Sequence, residues 1–204
     1  MPLKYVSCLV TAQCKDWDEL GFCAEMNTDN QVRWYVMRAY KAEKKAEEML
    51  GGNSGLEFFI AKQYAVREYH GVKSKHLVPA IPGMVFVRAG HDRIVDFKQR
   101  GGNFLQFVTR KTAAGPEYLT VPDVQMDNFI KVASRYDIET TYFKPDEVDL
   151  EKGTRVRILG GTFNGVTGVF MRVQGKRNRR LLVQLEGIST LATDISPDLI
   201  EVIE

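Results

Sequence analysis

Cysteine and histidine are scarce in this chain, and their scarcity limits the chemistry that it can carry. Three cysteines and three histidines occur among its 204 residues. Cys8, Cys14 and Cys23 all lie near the N-terminus, and their odd number argues against a disulfide framework. Their spacing fits no common zinc site, and the histidines are distant in sequence. We therefore predict free thiols, a cytoplasmic protein, no metal and no cofactor.

Long hydrophobic runs and a strong excess of charge are also missing. No run approaches the length of a membrane helix, so no membrane association is expected. With 28 basic and 26 acidic residues, the net charge is only +2. Extensive wrapping by nucleic acid is therefore not predicted, whereas a local basic patch remains open. The length suits one large or two small globular domains.

Motifs of common enzymes are not found in the sequence. There is no Gly-Lys-Ser/Thr phosphate loop, no nucleophile elbow and no cluster of metal ligands. His70 and His76 flank a predicted strand entrance with Glu68 nearby, which leaves an enzymatic site open as a rival hypothesis. The alternative is a set of scattered surface histidines. We predict that the protein is not an enzyme.

The C-terminal part, residues 150–204, has the pattern of a small all-β domain. Val156 and Ile158 alternate with arginines, which is the period of a strand with one buried face. Asn164-Gly165 is typical of a tight turn, and Gly168 within the next strand predicts a bulge or a close backbone approach. Five short strands with tight turns predict a closed barrel.

The preceding part, residues 31–136, mixes strands with helices. We predict a strand over Val32–Tyr40, a helix over Lys41–Leu50 and a central strand over Gly83–Val87. Asp92 is expected to cap a short helix, and Pro122 and Asp123 are expected to open another.

Residues 137–149 are interpreted as a linker, and residues 1–30 as an N-terminal extension that is not native if Met26 is the natural start.

These segments resemble the NusG family of transcription elongation factors. The N-terminal match consists of Arg33-Trp34-Tyr35-Val36, the Lys- and Glu-rich helix, and Ile81-Pro82-Gly83-Met84-Val85-Phe86-Val87, which is similar to the family's Phe-Pro-Gly-Tyr-Val-x-Val strand. The C-terminal match is Gly153–Val173, which is similar to a KOW motif. The resemblance implies an α+β chain, with an NGN-type antiparallel sheet flanked by helices followed by an SH3-like KOW barrel, and no catalysis.

The resemblance further implies a monomer that binds the β′ clamp helices of RNA polymerase through its first domain. The barrel would recruit a partner, either Rho or NusE and the ribosome. The segment 187–195 looks most like the specialised Bacteroidetes antiterminators of surface-polysaccharide operons, the UpxY-like paralogues. General NusG is the alternative within the family. An RNA- or ribosome-binding KOW protein outside transcription is the rival outside it.

Carried over by position, the polymerase-binding residues are Arg38, Tyr40, Ile81, Pro82, Gly83 and Met84. The partner-binding residues of the barrel are Phe163, Asn164 and Gly165. The alternative for Ile81 and Met84 is ordinary core, and for Phe163 it is a plug at the barrel end.

Two basic segments could contact nucleic acid through phosphates, which would make binding depend on salt. They comprise Lys41, Lys44 and Lys45, and Lys176, Arg177, Arg179 and Arg180. The alternatives are a solvated helix face and a solvated hairpin tip.

Overall fold

The computed structural model describes residues 30–52, 55–144, 147–173, 178–195 and 199–203. The predicted extension over 1–30 therefore lies outside the described residues, apart from Asn30. Along the chain the elements are β1 Arg33–Ala39, α1 Glu43–Gly51, β2 Glu57–Phe59, β3 Lys62–Tyr69, β4 Val72–Pro79, β5 Met84–Ala89, α2 His91–Phe97, β6 Leu105–Phe107, β7 Thr109–Thr112, β8 Gly115–Tyr118, β9 Thr120–Val121, α3 Asp123–Ala133, β10 Thr140–Phe143, β11 Thr154–Ile158, β12 Thr167–Arg172, β13 Arg179–Leu185, β14 Ser189–Thr193 and β15 Ile200–Val202.

The first domain is built around an antiparallel sheet in the order β2-β5-β1-β6, with β9 also paired to β1. The predicted central strands are confirmed as β1 and β5, which pair from Arg33 opposite Ala89 to Arg38 opposite Met84. Apolar residues occupy both faces of these strands, because helices cover the sheet on both sides.

Helix α3 covers one face of this sheet. Its Met126 and Phe129 are fully buried against Trp34, Val36 and Phe86. Fully burying an apolar side chain of this size stabilises the fold by about 1.5–3 kcal/mol. The apolar period that predicted this helix is therefore confirmed as its packing face.

Helices α1 and α2 cover the opposite face. Ala46 and Leu50 of α1 and Ile94 of α2 pack with Tyr35 and Met37 of β1. The start of α2 differs from the prediction, since Gly90 precedes the helix and Asp92 lies within its first turn. The side-chain oxygen at this end comes from Asn30, which accepts a hydrogen bond of 3.3 Å from the Asp92 backbone N–H.

Two hairpins extend from the first domain. Strands β3 and β4 form a two-stranded ribbon that turns at His70 and Gly71, whose φ angles are 48° and 77°. Both positive angles suit the twist of a hairpin turn. Strands β7 and β8 form the other hairpin, in which Thr109 lies opposite Tyr118 and Thr112 lies opposite Gly115.

The second domain is a six-stranded antiparallel sheet in the order β10-β14-β13-β12-β11-β15. Thr140–Phe143, inside the segment interpreted as a linker, forms β10 and pairs with β14. That part of the linker interpretation is therefore corrected. Among the described residues no pairing joins β10 to β15, so closure of the barrel stays a prediction.

The two domains share a buried contact through α3. The helix packs against β13 and β14, and the Asn128 side-chain N–H donates a 2.8 Å hydrogen bond to the Thr167 hydroxyl. The rings of Phe129 and Tyr142 lie 6.3 Å apart, centroid to centroid. One continuous apolar cluster therefore runs from Phe86 in the first domain to Leu181 in the second.

Candidate functional site

Six of the predicted site residues come together where β1 ends and β5 begins. We call this set, namely Arg38, Tyr40, Ile81, Pro82, Gly83 and Met84, the strand-end patch. The Ala39 N–H donates to the Gly83 carbonyl at 2.8 Å, and the Gly83 N–H donates to Glu43 Oε1 at 2.7 Å. Helix α1 therefore holds the loop before β5 against the end of β1.

Strand alternation explains why Arg38 and Met84 of the patch lie on the same face of the sheet. Trp34, Val36 and Arg38 point to the same side of the sheet as Phe86 and Met84. Helix α3 buries Trp34, Val36 and Phe86. Arg38 is exposed and Met84 is only half-buried, so the patch is the uncovered end of the face that α3 otherwise covers.

The patch combines exposed and half-buried side chains. Tyr40 is 72% exposed, and Pro82 is exposed beside the half-buried Ile81 and Met84. Arg38 donates a 3.2 Å hydrogen bond to the Tyr40 hydroxyl, and its guanidinium carbon lies 5.5 Å from the Tyr40 ring centroid. This cation–π contact places the guanidinium and the aromatic ring next to each other on the exposed surface of the patch.

The α1 lysines lie beside this patch. Lys41 follows Tyr40 directly and adopts a positive φ of 50°. Lys44 and Lys45 are exposed, and the Lys45 ammonium lies 4.8 Å from the Phe104 ring centroid. Their positive charge therefore borders the strand-end patch on the α1 side.

The loop of the second domain differs from expectation at Phe163. This side chain is only 5% exposed and packs in the cluster that holds Ile158 and Val166. Asn164 Oδ1 accepts from the Gly160 N–H at 2.9 Å, and the Gly165 N–H donates to the Ile158 carbonyl at 2.8 Å. Phe163 is therefore a core residue of the loop, and its expected place on a partner-binding surface is corrected.

The basic run is also corrected at Arg180, whose side chain is only 2% exposed. It donates to Asp194 at 2.6 and 2.9 Å and to the Thr141 hydroxyl at 2.9 Å, with Glu139 at 3.4 Å. The hydrogen bonds to Asp194 raise the pKa of the Arg180 guanidinium. Arg180 therefore cannot also reach nucleic acid, whereas Arg179 is exposed. Lys176 and Arg177 lie outside the described residues.

A sequence signal for the burial of Arg180 did exist. Strand alternation puts it on the same face as Leu182, which is fully buried. The carboxylate that compensates its charge comes from Asp194, and the hydroxyl comes from Thr141 in β10. Because Thr141 lies in the segment interpreted as a linker, sequence reasoning missed this site.

The histidines of the rival enzymatic hypothesis lie on the β3–β4 ribbon. His76 Nε2 is 2.7 Å from the Ser74 hydroxyl. Register and alternation place Glu68 and His76 on opposite faces of the ribbon, so these two groups are not brought together. In the described part of the chain, no group of three His, Cys, Asp or Glu residues is placed to hold a metal. The helices of that part are all too short or too polar to cross a membrane.

Comparison with known protein families gives a match in the first domain. Residues 32–130 match the family model described as transcription termination factor NusG.

The chain was also compared with curated proteins and with solved structures. No curated protein matches the chain. Among solved structures, it is similar to one described as "Domain interaction in Thermotoga maritima NusG", with 22% identity, a TM-score of 0.41, and coverage of 85% of this chain and 98% of that one.

Proposed function

We propose that this protein is a transcription elongation and antitermination factor. Its first domain binds the β′ clamp helices of RNA polymerase through the strand-end patch, and its second domain recruits a partner. The NusG-family match over residues 32–130 supports the polymerase as the target.

The observation that carries the proposal is the anatomy of the patch. Protein interfaces concentrate binding energy in a few aromatic and Arg anchors that are surrounded by apolar contacts. Tyr40 and Arg38 supply such anchors, and Ile81, Pro82 and Met84 supply the apolar surround. A pair of helices could bury this surface, at about 25 cal/mol per Å² of apolar area less the cost of association.

In the second domain, the partner surface we propose centres on the exposed side of the loop around Asn164 and Gly165. The buried Phe163 side chain packs beneath this loop. Leu159, which is 51% exposed at the foot of the loop, offers an apolar contact that the buried Phe163 does not. The candidate partners remain Rho, or NusE with the ribosome.

Within this class we infer operon-specific antitermination, with general NusG as the alternative. The inference rests on the segment 187–195, which resembles the specialised antiterminators. Sequencing of RNA from a deletion strain tests it. Loss of the distal transcripts of one or a few surface-polysaccharide operons supports the specialised role, and a change across most long operons contradicts it.

Co-purification of the tagged full-length protein with RNA polymerase, after nuclease treatment, tests polymerase binding. Tyr40→Asp is the main variant, because its exposed position tolerates a charge in the free protein while an unpaired buried charge costs several kcal/mol at an interface. Ile81→Asp is a second variant, used with a check of folding since Ile81 is half-buried.

Val202→Asp is the matched control, because Val202 is 67% exposed and belongs to the second domain. Wild type and this control should retain polymerase while Tyr40→Asp loses it. Equal recovery with all three proteins, or none with wild type, would contradict docking through the strand-end patch.

A further inference from the structure

Two arginines face each other where strands β12 and β13 meet at one end of the second domain. Arg172 lies directly opposite Arg179 in the antiparallel register, and both side chains are exposed. We call these two residues the arginine pair. Residues directly opposite each other have Cα atoms about 4.5–5.5 Å apart, and like charges in these positions destabilise a sheet. An anion bound between the two guanidinium groups would remove their repulsion.

The carboxylates near the arginine pair are engaged with other cations. Asp194 and Glu139 lie 2.6 Å and 3.4 Å from the guanidinium of the buried Arg180. Asp149 pairs with Lys152 at 2.9 Å. Among the ion pairs of the described residues, none includes either member of the arginine pair. The pair therefore carries positive charge that favours an external anion.

An apolar groove of about 470 Å³ opens beside the arginine pair, and Arg172 forms part of its wall. Its apolar side chains come from strands β10 and β12 and from the segment that leads to β11. They are the half-buried Phe143, Val148 and Met171, and the buried Val173. The groove therefore offers apolar surface next to a free cation.

Two carboxylates also line the groove. Glu147 accepts a 2.9 Å hydrogen bond from the Lys144 backbone N–H. Asp149, which pairs with Lys152, also accepts a 3.1 Å hydrogen bond from the Glu151 backbone N–H. Because the charge of Asp149 is balanced within the chain, Glu147 alone stands against the two arginines. The free charge at the groove is therefore positive.

We propose that this end of the second domain binds an unpaired nucleotide of a single-stranded nucleic acid, with a phosphate on the arginine pair and a base in the groove. Arginine matches phosphate through forked hydrogen bonds. A base can stack on a ring such as that of Phe143 only when it is free of its duplex partner. Residues 172–179 contain four basic residues and no acidic one, which suits a chain with one negative charge on every unit.

This site is separate from the surface proposed for the protein partner. The loop with Asn164 and Gly165 comes directly before β12, whereas the arginine pair lies at the other end of that strand. Six residues at about 3.4 Å each put the two ends about 20 Å apart. Nucleic-acid binding here also does not depend on the strand-end patch of the first domain, so each activity can be tested alone.

The test is fluorescence anisotropy of the full-length protein with a single-stranded RNA of about 12 nucleotides, a length within the site sizes of small single-strand-binding folds. Titrations are made over a series of salt concentrations. Single-stranded DNA of the same sequence and the corresponding RNA duplex are the comparison ligands. The variant is Arg172→Ala/Arg179→Ala. The matched control, Arg155→Ala/Arg157→Ala, removes two exposed arginines from the neighbouring strand β11.

We expect the arginine-pair variant to bind single-stranded RNA at least tenfold more weakly at low salt. The slope of log K against log salt should fall by about 1.4, which is about 0.7 for each lost phosphate contact on a single strand. The control should stay within about threefold of wild type, because only general attraction is altered. Equal binding of single-stranded RNA and DNA would assign recognition to phosphate and base, and a preference for RNA would add the 2′-hydroxyl.

Two further variants separate the charge from the groove. Arg172→Glu places opposite charges across the strand pair, so it should raise the melting temperature while RNA binding is lost. A folded protein without binding then cannot be explained by damage to the domain. Phe143→Leu keeps an apolar side chain but removes the ring, and should weaken binding about fivefold with an unchanged salt slope, because stacking is not ionic.

Equal losses in the arginine-pair variant and the control would overturn the proposal, because the effect would then be one of net charge. Lack of RNA binding by wild type would also overturn it. Tighter binding to the duplex than to either single strand would contradict a base in the groove. Tighter binding of an oligoglutamate peptide than of RNA would reassign the site to an acidic segment of a protein.

Discussion

The two domains each place an aromatic residue that was predicted to bind a partner at a loop or strand end, and they bury these two residues to very different extents. In the first domain, Tyr40 at the end of β1 is 72% exposed, whereas in the second domain Phe163 is 5% exposed. Exposed Arg38 likewise contrasts with buried Arg180. Resemblance to a motif therefore locates a loop in the chain, but burial decides whether its side chain binds a partner or stabilises the fold.

The two regions differ in exposure because different amounts of structure pack over them. Helix α3 ends its cover of the sheet at Val36 and Phe86, which leaves Arg38 and Met84 at an open edge. The loop at 160–165 instead closes over the second core, held by the hydrogen bond from Gly165 to Ile158. We expect the following measurements to test this difference, beginning with the largest effect.

Phe163→Ala should lower the free energy of unfolding by about 3 to 4 kcal/mol, because it leaves a cavity among Ile158 and Val166. Urea denaturation followed by circular dichroism measures the change. Phe163→Leu, which keeps most of the apolar volume, should cost less than half as much. A loss below about 1 kcal/mol for the alanine variant would mean that Phe163 belongs to the surface.

Asp194→Asn should cost about 2 to 3 kcal/mol, because it leaves the buried Arg180 guanidinium without its main carboxylate. The same denaturation experiment applies, with Arg179→Ala as control because Arg179 is exposed. The control should change stability by less than about 0.5 kcal/mol. Equal effects of the two variants would contradict a structural role of Arg180.

Alkaline pH should destabilise the contact between the two domains through Tyr142. Burial raises the pKa of Tyr142 to about 12 from an ordinary value of 10.0. Below pH 10 the phenol is neutral in both states, and above it the unfolded chain ionises first. The folded state therefore loses about 2 kcal/mol between pH 10 and pH 12.

Tyr142→Phe should remove this part of the pH dependence, whereas Tyr69→Phe at the exposed ribbon tip should leave it unchanged. Stability measured from pH 9 to pH 12 for the three proteins gives the comparison. Parallel curves for wild type and Tyr142→Phe would show that the phenol titrates normally.

Tyr40→Ala should have the smallest effect on stability, within about 0.5 kcal/mol, because the side chain is 72% exposed and its hydrogen bond and cation–π contact are made with the exposed Arg38. The melting temperature should therefore match that of wild type while polymerase co-purification falls. A drop of several degrees would place Tyr40 in the core and remove the contrast with Phe163.

Periodicity predicted most of the first domain. The pattern of Met126, Phe129 and Ala133 anticipated α3, and the alternation in residues 32–40 anticipated β1. These elements are predictable because each shows its buried face in its own sequence. Gly168 was also correctly expected at a close approach, since a Cβ there would meet the Leu182 carbonyl.

The predictions that were wrong concern residues whose surroundings are formed by segments distant in sequence. Arg180 was assigned to a solvated or phosphate-binding turn because its neighbours are basic, yet its partners Thr141 and Asp194 come from other strands. Phe163 could not be placed from its turn alone, because a turn residue can point either way. Asp92 was predicted to cap the start of α2, but the side-chain oxygen there comes from Asn30, which lies far away along the chain.

Strand β10 also has a consequence for how the second domain can be handled in isolation. A fragment beginning at residue 150 would contain β14 paired with β13 but without β10, and would leave the other side of Ser189–Thr193 as a free sheet edge. Exposed edges of this kind recruit other chains and promote aggregation. The smallest well-behaved fragment therefore starts before Thr140, within the segment that connects the two domains.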